Sequence, residues 1–451
     1  MLNKKTLILF LLAFFIYLFT GFNAPLQRDP GIYIYSANMI LEGIPPYKSI
    51  FDHKGPGAPL ILASLAKLYS IFSKDILGEI LFIRVITIFL ISLIPILIFF
   101  ISLDFLNENA AFLTSLVFIT FFGFTFFASA PRPKGFLLLF ETLFLLFIIR
   151  KNYLWAGFFA SAAAIVWQPM GLFVLAGLYD SIKEKKWKKY IAGSFILPVL
   201  TLFYFVYHGS LNYLWDGMVL FNLKYLDTRP IISNIENIRT ALKTGYSNST
   251  AFILLGIFLF IQFYRKKEFP RILLYSFPLP ILWSIADFQG PPDMFPLLPY
   301  AALGLGYLFQ KIQFKKYDFY IVSLALVLIA IVPHRPVKTS LSLQYEEAIK
   351  VKERFNGEII TIGAPHFMAL AGLKNPSRYL FVLRGIDKKI EQEYPNGIDG
   401  WLNFLMKTKP KALVIGEIKG EHAKRIKKWI RKNFRKSETK SFFKVFVRIK
   451  K

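Results

Sequence analysis

The chain has 451 residues, 55% of them hydrophobic and 17% aromatic, with a net charge of +27 and no cysteine. Its 49 phenylalanines exceed what one water-soluble core can hold, so the composition excludes an ordinary soluble enzyme and points to a polytopic helical membrane protein. Without cysteine there are no disulfides, thiolate nucleophiles or cysteine-held metals, and the five scattered histidines show no metal-ligand spacing.

Lysine and arginine fall in short clusters between apolar runs rather than on one continuous face. That distribution fits topology determinants facing anionic membrane lipids, and no nucleic-acid partner is expected. The first apolar run, 6–22, follows Lys4 and Lys5 and lacks a small-x-small cleavage site, so it reads as a retained helix with its N-terminus in the cytoplasm. A spanning helix needs roughly 20 apolar residues, fewer when packed against protein. Further spans are expected at 79–103, 109–128 and 135–150, then in the run 154–179. That run is interrupted by "WQP" at 167–169 and has basic flanks at both ends, so it reads as two short helices meeting near Gln168. Spans at 189–207, 251–265, 270–287, 293–310 and 317–333 bring the expected count to about eleven. The inside loops then carry "YRKK" (264–267) and "QKIQFKK" (310–316). The outside segments are 23–78, 129–135, 208–250, 287–293 and the tail beyond "PHRP" (333–336). Asn248-Ser249-Thr250 is a formal N-glycosylation sequon abutting a span.

Residues 1–336 thus form the expected transmembrane domain, and 337–451 a small extracytoplasmic α/β domain. In the latter, 357–364, 377–383, 411–417 and 442–449 read as strands, and 344–355, 397–409 and 421–434 as helices.

The charged stretch of the first outside loop, "RDPGIYIYSANMILEGIPPYKSIFDHKGPG" (28–57), holds the main chemical signal. Ile32, Tyr35, Met39 and Ile40 share one face of a short helix expected to lie on the membrane surface, ending at Gly43. Asp29 stands at its start, where first-turn N–H groups favour a carboxylate, as they also would in a plain helix cap. Lys54, flanked by Gly55, Pro56 and Gly57, is a compact cation that suits a phosphate, the alternative being an anchor to lipid headgroups.

This stretch resembles the first-loop signature of polyprenyl-phosphate-sugar-dependent glycosyltransferases of the GT-C superfamily, in particular prokaryotic protein O-mannosyltransferase-like and aminoarabinose-transferase-like proteins. The likeness is carried by Asp29, Gly31, Tyr33, Ala37, Gly43, Pro46, Tyr47, Asp52, His53, Lys54 and Pro56, with weaker similarity at Arg84 and "PPDMFPLLPYAALGLG" (291–306). It implies a GT-C type membrane domain and transfer of a sugar, with inversion, from a polyprenyl or dolichyl phosphate to a protein, glycan or glycolipid acceptor. It also implies that Asp29 is the catalytic acid of the loop and that Lys54 meets the lipid phosphate. Many relatives carry a second acid directly after the first, and this chain has Pro30 there. No metal ligands are therefore assigned, and a divalent cation (Mg or Mn) is the one cofactor the resemblance leaves open.

Inverting transfer needs a base for the acceptor proton and cations for the departing phosphate. Asp29 is the candidate base, with Lys54, Arg132, Lys134 and Arg84 for the phosphate. Arg28, Tyr33, Asp52, His53, Glu141 and Asp293 are supporting positions, for which ion pairs, headgroup contacts or loop solvation are equally open. Glu79 could instead pair with Arg84, and Trp215 and Asp216 could contact acceptor or anchor the 208–250 loop. A transporter or flippase of lipid-linked sugars would use similar cations but no base, and a non-catalytic envelope assembly factor would need neither.

Overall fold

A computed structural model describes residues 4–226, 230–246, 249–265, 269–312, 314–332, 339–383, 385–437 and 442–449. Asn248 of the sequon, Lys266, Lys267, Gln313 and the whole of 333–338 lie outside the described residues. A helix stands at each expected span. Three are long and apolar enough to cross a membrane: Lys4–Gly21, Ile76–Leu103 and Trp187–Tyr207. The other apolar stretches form shorter helices, so length and apolarity alone bear out three spans of the expected eleven. The run 154–179 is indeed broken: helices Tyr153–Val166 and Gly171–Lys183 meet at a single turn of 3-10 helix, Gln168–Met170. Pro169 supplies no amide N–H and ends the first helix there.

The C-terminal region carries a four-stranded sheet of β1 (Ile359–Ile362), β2 (Ala412–Ile415), β3 (Phe434–Lys436) and β4 (Lys444–Arg448), in the order β1-β2-β4-β3. β1 and β2 are parallel, with Ile359 opposite Ala412 and Ile362 opposite Ile415. β4 runs antiparallel to both its neighbours. Helices Leu341–Arg354, Gly397–Lys407 and Ala423–Asn433 match the periodicity, and the last buries only Ile426 and Ile430 while its remaining positions are mostly cationic. The expected strand 377–383 does not form. Its carbonyls are bonded singly to scattered partners: Arg378 O accepts from Phe51 N at 2.8 Å, Leu380 O from Gly363 N at 2.7 Å and Val382 O from Lys419 N at 3.0 Å. Among the described residues no regular ladder is left for it, only one bridge between Val382 and Ile418.

The helix expected on the membrane surface is packed against protein on two sides. Arg28–Leu41 lies between helices Gly57–Tyr69 and Pro365–Ala371, and nine of its fourteen residues are buried, among them Ile32, Tyr33, Ile34 and Tyr35. Gly31 permits this approach, since a Cβ there would sit 2.5 Å from the His366 backbone. Polar ties complete the joint: Gln344 Oε1 accepts from Leu26 N at 2.6 Å, and Tyr35 Oη accepts from Asn375 N at 3.1 Å. The period-3.6 pattern correctly announced a helix with one apolar face, but not the sheet-bearing region that covers its other side.

Candidate active site

Four of the expected outside segments converge on one cavity of about 470 Å³. The first loop contributes Gln27, Arg28, Asp29, Tyr33 and Lys54, the 129–135 segment Arg132, Pro133 and Lys134, and the 287–293 segment Gln289 to Asp293. The C-terminal region adds Gly363, His366, Gly416 and Glu417.

Asp29 lies in the first turn of helix Arg28–Leu41, and its side chain is one-third exposed to the cavity. Its Oδ1 accepts from Arg28 Nε at 2.8 Å, while Arg28 Nη1 reaches Glu417 Oε2 at 2.7 Å. Burial by itself would raise the Asp29 pKa, but the charges of Lys54, Arg28 and Arg132 outweigh it and hold the carboxyl down at about 2. Asp29 is therefore a carboxylate at any physiological pH.

Lys54 is aimed by its loop. Tyr47 Oη donates to the Lys54 carbonyl at 2.6 Å, and Tyr47 itself takes the left-handed backbone conformation (φ 65°). Gly55 and Gly57 sit against Ile165 and Val166 at the end of the broken helix, where a Cβ on Gly55 would meet the Ile165 carbonyl at 1.9 Å. Gln168 Nε2 and Asn222 Nδ2 both donate to the His53 carbonyl, at 2.7 and 2.6 Å. The loop is thus bolted to two other segments. Lys54 Nζ then donates to Tyr33 Oη at 3.1 Å. Arg132 stands at the start of helix Pro133–Ile149, donates to Gln27 and stacks over Phe127 at 4.5 Å. Neither Lys54 nor Arg132 has a carboxylate within ion-pair distance among the described residues.

Other expected site residues fall differently. Lys134 lines the cavity, but its ammonium is paired with the buried Asp293 and lies 4.6 Å over the Trp167 ring, so it is not a free phosphate ligand. Asp293 Oδ2 accepts from the Gln289 and Gly290 amides at 2.5 and 2.9 Å, which makes it the organiser of that turn. Arg84 is outside the cavity: its Nη1 donates to the carbonyls of Phe22 and Ala24 at 2.8 and 2.5 Å, closing the C-terminal end of the first helix rather than meeting a ligand. It makes no ion pair with Glu79; carbonyls just past a helix end are good partners for a cation. Glu141 is fully buried within helix Pro133–Ile149 and away from the cavity lining. Asp52 accepts from His53 N at 2.8 Å and shapes the lysine loop without lining the cavity. Burial lowers the His53 pKa to about 4 despite Asp52, so its imidazole is neutral at pH 7. Asp216 turns to the C-terminal region, where Arg378 and Lys389 hold it at 3.3 and 2.5 Å; Trp215 is exposed.

Among the described residues no group of three or more His, Asp or Glu gathers that could hold a metal ion. Of the acids that line the cavity, Asp29 and Glu417 both contact Arg28 and Asp293 pairs with Lys134, and Pro30 stands beside Asp29.

No family model matches the sequence, and no curated protein matches it. Solved structures do match. ArnT from Cupriavidus metallidurans bound to undecaprenyl phosphate superposes with a TM-score of 0.66 over 98% of this chain and 98% of that one, at 10% identity. Its apo state gives 0.61 over the same shares at 11%. The archaeal oligosaccharyltransferase AglB from Archaeoglobus fulgidus, in complex with an inhibitory peptide and a dolichol-phosphate, gives 0.53 over 91% of this chain and 69% of that one, at 11%. The chain has the GT-C fold. At these identities the likeness is one of fold, and the chemistry must be argued from this chain's own residues.

Within this GT-C fold, sequence reasoning missed Gln27, Gly363, His366, Gly416 and Glu417. Two of these had a readable signal. "IGAP" (362–365) and "IGE" (415–417) each place a glycine directly after a strand, and ligands gather outside the carboxyl ends of parallel strands. Gly363 (φ 93°) packs against Gly416, where a Cβ would meet the Gly363 carbonyl at 1.8 Å, so the two strand ends can converge on the cavity.

Proposed function

We propose that the protein is a membrane glycosyltransferase that moves a sugar from a polyprenyl-phosphate carrier to an extracytoplasmic acceptor with inversion. One observation carries this reading: an ionised carboxylate shares a cavity with two cations, Lys54 and Arg132, that have no carboxylate within ion-pair distance among the described residues, in a fold shared with a protein that binds undecaprenyl phosphate. Both cations are partly buried, and a phosphate in the cavity would compensate their charge.

In the proposed step an acceptor hydroxyl oxygen attacks the anomeric carbon, and the bond from that carbon to the phosphate oxygen breaks with its electron pair. Lys54 and Arg132 stabilise the departing phosphate, and Asp29 takes the acceptor proton. The products are the inverted glycoside and the free polyprenyl phosphate. At rest Asp29 is a weak base, because the same cations depress it. A bound phosphate offsets their charge, so the donor itself raises the basicity of Asp29 just when the acceptor proton must be taken. The gathering of residues from the expected outside segments in one cavity supports an extracytoplasmic site in a multi-pass protein. The identity of the sugar is left open by these residues.

The test is transfer from a purified lipid-linked sugar. Asp29→Asn is expected to cut transfer by at least about a hundredfold while leaving undecaprenyl phosphate binding intact. Full activity in that variant would remove the base and leave a carrier of lipid-linked sugars as the better reading.

A further inference from the structure

Arg28 stands between two carboxylates that come from far-apart parts of the chain. Its Nε donates to Asp29 Oδ1 at 2.8 Å and its Nη1 to Glu417 Oε2 at 2.7 Å. The other Glu417 oxygen, Oε1, pairs with Lys419 at 2.6 Å. Charges thus alternate in sign from Lys419 of the C-terminal region to the proposed base. Asp29 Oδ2, in contrast, has no hydrogen bond or ion pair among the described residues.

Glu417 follows the end of β2 by two positions, and the backbone around it is held from several sides. Gly416 N donates to Ile362 O at 2.9 Å, and Lys419 N to Val382 O at 3.0 Å. A Cβ on Gly363 would come within 2.7 Å of the Glu417 carbonyl oxygen, so the two strand ends pack without slack. Across the joint, Gly31 lets the helix that carries Arg28 and Asp29 lie against the His366 backbone. Both members of the Arg28–Glu417 pair therefore start from a fixed backbone. The pair itself is partly exposed, by 27% and 46%, and such pairs add little to stability. Its place beside Asp29 calls for another reason.

Geometry supplies one. A guanidinium is a rigid planar fork, and on a carboxylate it favours two parallel N–H bonds, one to each oxygen. Closed on Asp29 in that way, Arg28 would occupy the oxygen that has to take the acceptor proton. We propose that Glu417 is a positioning residue for transfer: by holding Nη1 it fixes the plane of the Arg28 fork, so that Arg28 grips Asp29 through Oδ1 alone and Oδ2 stays open. The inference rests on the glycosyltransferase reading above. The acceptor proton passes to Asp29 Oδ2 as the acceptor oxygen bonds to the anomeric carbon and the carrier phosphate leaves with the electron pair. Glu417 touches none of these atoms and acts through Arg28. Transfer then depends on a docked C-terminal region, because that region supplies Glu417.

The experiment complements cells lacking the protein with variants. Mass spectrometry of glycans, lipids and glycosylated proteins follows how fast the missing product returns after induction, per amount of protein in the membrane. Undecaprenyl phosphate binding and the thermal midpoint are measured on each purified full-length variant. Glu417→Ala should slow the product about tenfold or more with phosphate affinity and thermal midpoint unchanged. Glu417→Gln, which keeps an acceptor oxygen for Nη1, should recover part of the rate. In an Arg28→Lys background, where no fork can close on Asp29, Glu417→Ala should change the rate by less than about twofold. If Glu417→Ala does not fold, Glu417→Gln carries the comparison: a partial loss that disappears with Arg28→Lys supports the role, and an unchanged rate overturns it. A wild-type rate in Glu417→Ala, an equal loss in the Arg28→Lys background, no transfer with Arg28→Lys alone, or a slower rate matched by weaker phosphate binding overturns the positioning role alone. A wild-type protein that binds no undecaprenyl phosphate, or an unaltered product in Asp29→Asn cells, overturns the glycosyltransferase reading itself.

Discussion

Two charged clusters join the helical part of this molecule to its sheet-bearing part, and they are built on opposite principles. Around Asp216 every charge is answered: Arg378 reaches Asp216 at 3.3 Å and Glu393 at 2.5 Å, and Lys389 reaches Asp216 at 2.5 Å. Around Asp29 the answer is incomplete: Arg28 takes the carboxylate, while Lys54 and Arg132 face the cavity and, among the described residues, bond to the neutral Tyr33 and Gln27. The closed cluster is a dock between two parts of one chain. The open one has room and charge for a ligand. Composition does not separate the two, since both are mixtures of acids and bases in loops; the balance of pairing does.

The contrast can be broken first at Asp29. Asp29→Asn should cut transfer by roughly 10²–10⁴-fold, the range expected for a general base, with binding of undecaprenyl phosphate kept or tightened as a competing negative charge is removed. A loss of phosphate binding together with transfer would place Asp29 in the support of the cavity rather than in the chemistry. At the open cations, Lys54→Ala and Arg132→Ala should each weaken phosphate binding by about tenfold or more, with a shallower dependence on salt. An isotherm indistinguishable from wild type in both would show that the phosphate sits elsewhere.

The closed cluster should behave in the reverse way. Asp216→Ala leaves Arg378 and Lys389 without their shared partner and is expected to cost about 2 kcal/mol of stability, seen as a lower thermal midpoint in detergent. Its phosphate affinity should stay at the wild-type value. If phosphate binding falls instead, the two clusters are coupled through the C-terminal region, and the division drawn here is wrong.

The smallest effect is a pH dependence of stability. Burial lowers His53 and His366 to about 4, from an ordinary 6.5, with Arg28 adding to the effect at His366. The unfolded chain therefore binds protons more readily than the folded one between these values. Stability is greatest above pH 6.5 and declines as pH falls towards 4. Thermal unfolding at pH 7, 6 and 5 should show this decline, and His366→Leu should flatten it. A flat wild-type profile would mean that the two imidazoles are less enclosed than their surroundings suggest.

The sequence by itself determined the parts of this protein that depend on local pattern. Apolar runs placed the helices, "WQP" marked a break because proline cannot supply the next amide, and strand–helix alternation announced a sheet after residue 337. It also singled out Asp29 and Lys54, because charges beside an apolar run are conspicuous and the first loop has a distinctive pattern. It could not tell Lys54 from Lys134 or Arg84, three basic residues of similar setting. One donates to a tyrosine beside the cavity, one is neutralised by Asp293, and one closes a helix end. Nor could it show that a helix with one visible apolar face would be covered on the other by His366, or that Glu417 would come beside the first loop. Such decisions belong to the tertiary structure. Whether a charge is free or spent depends on partners far away in the chain, and no periodicity along the chain encodes that distance.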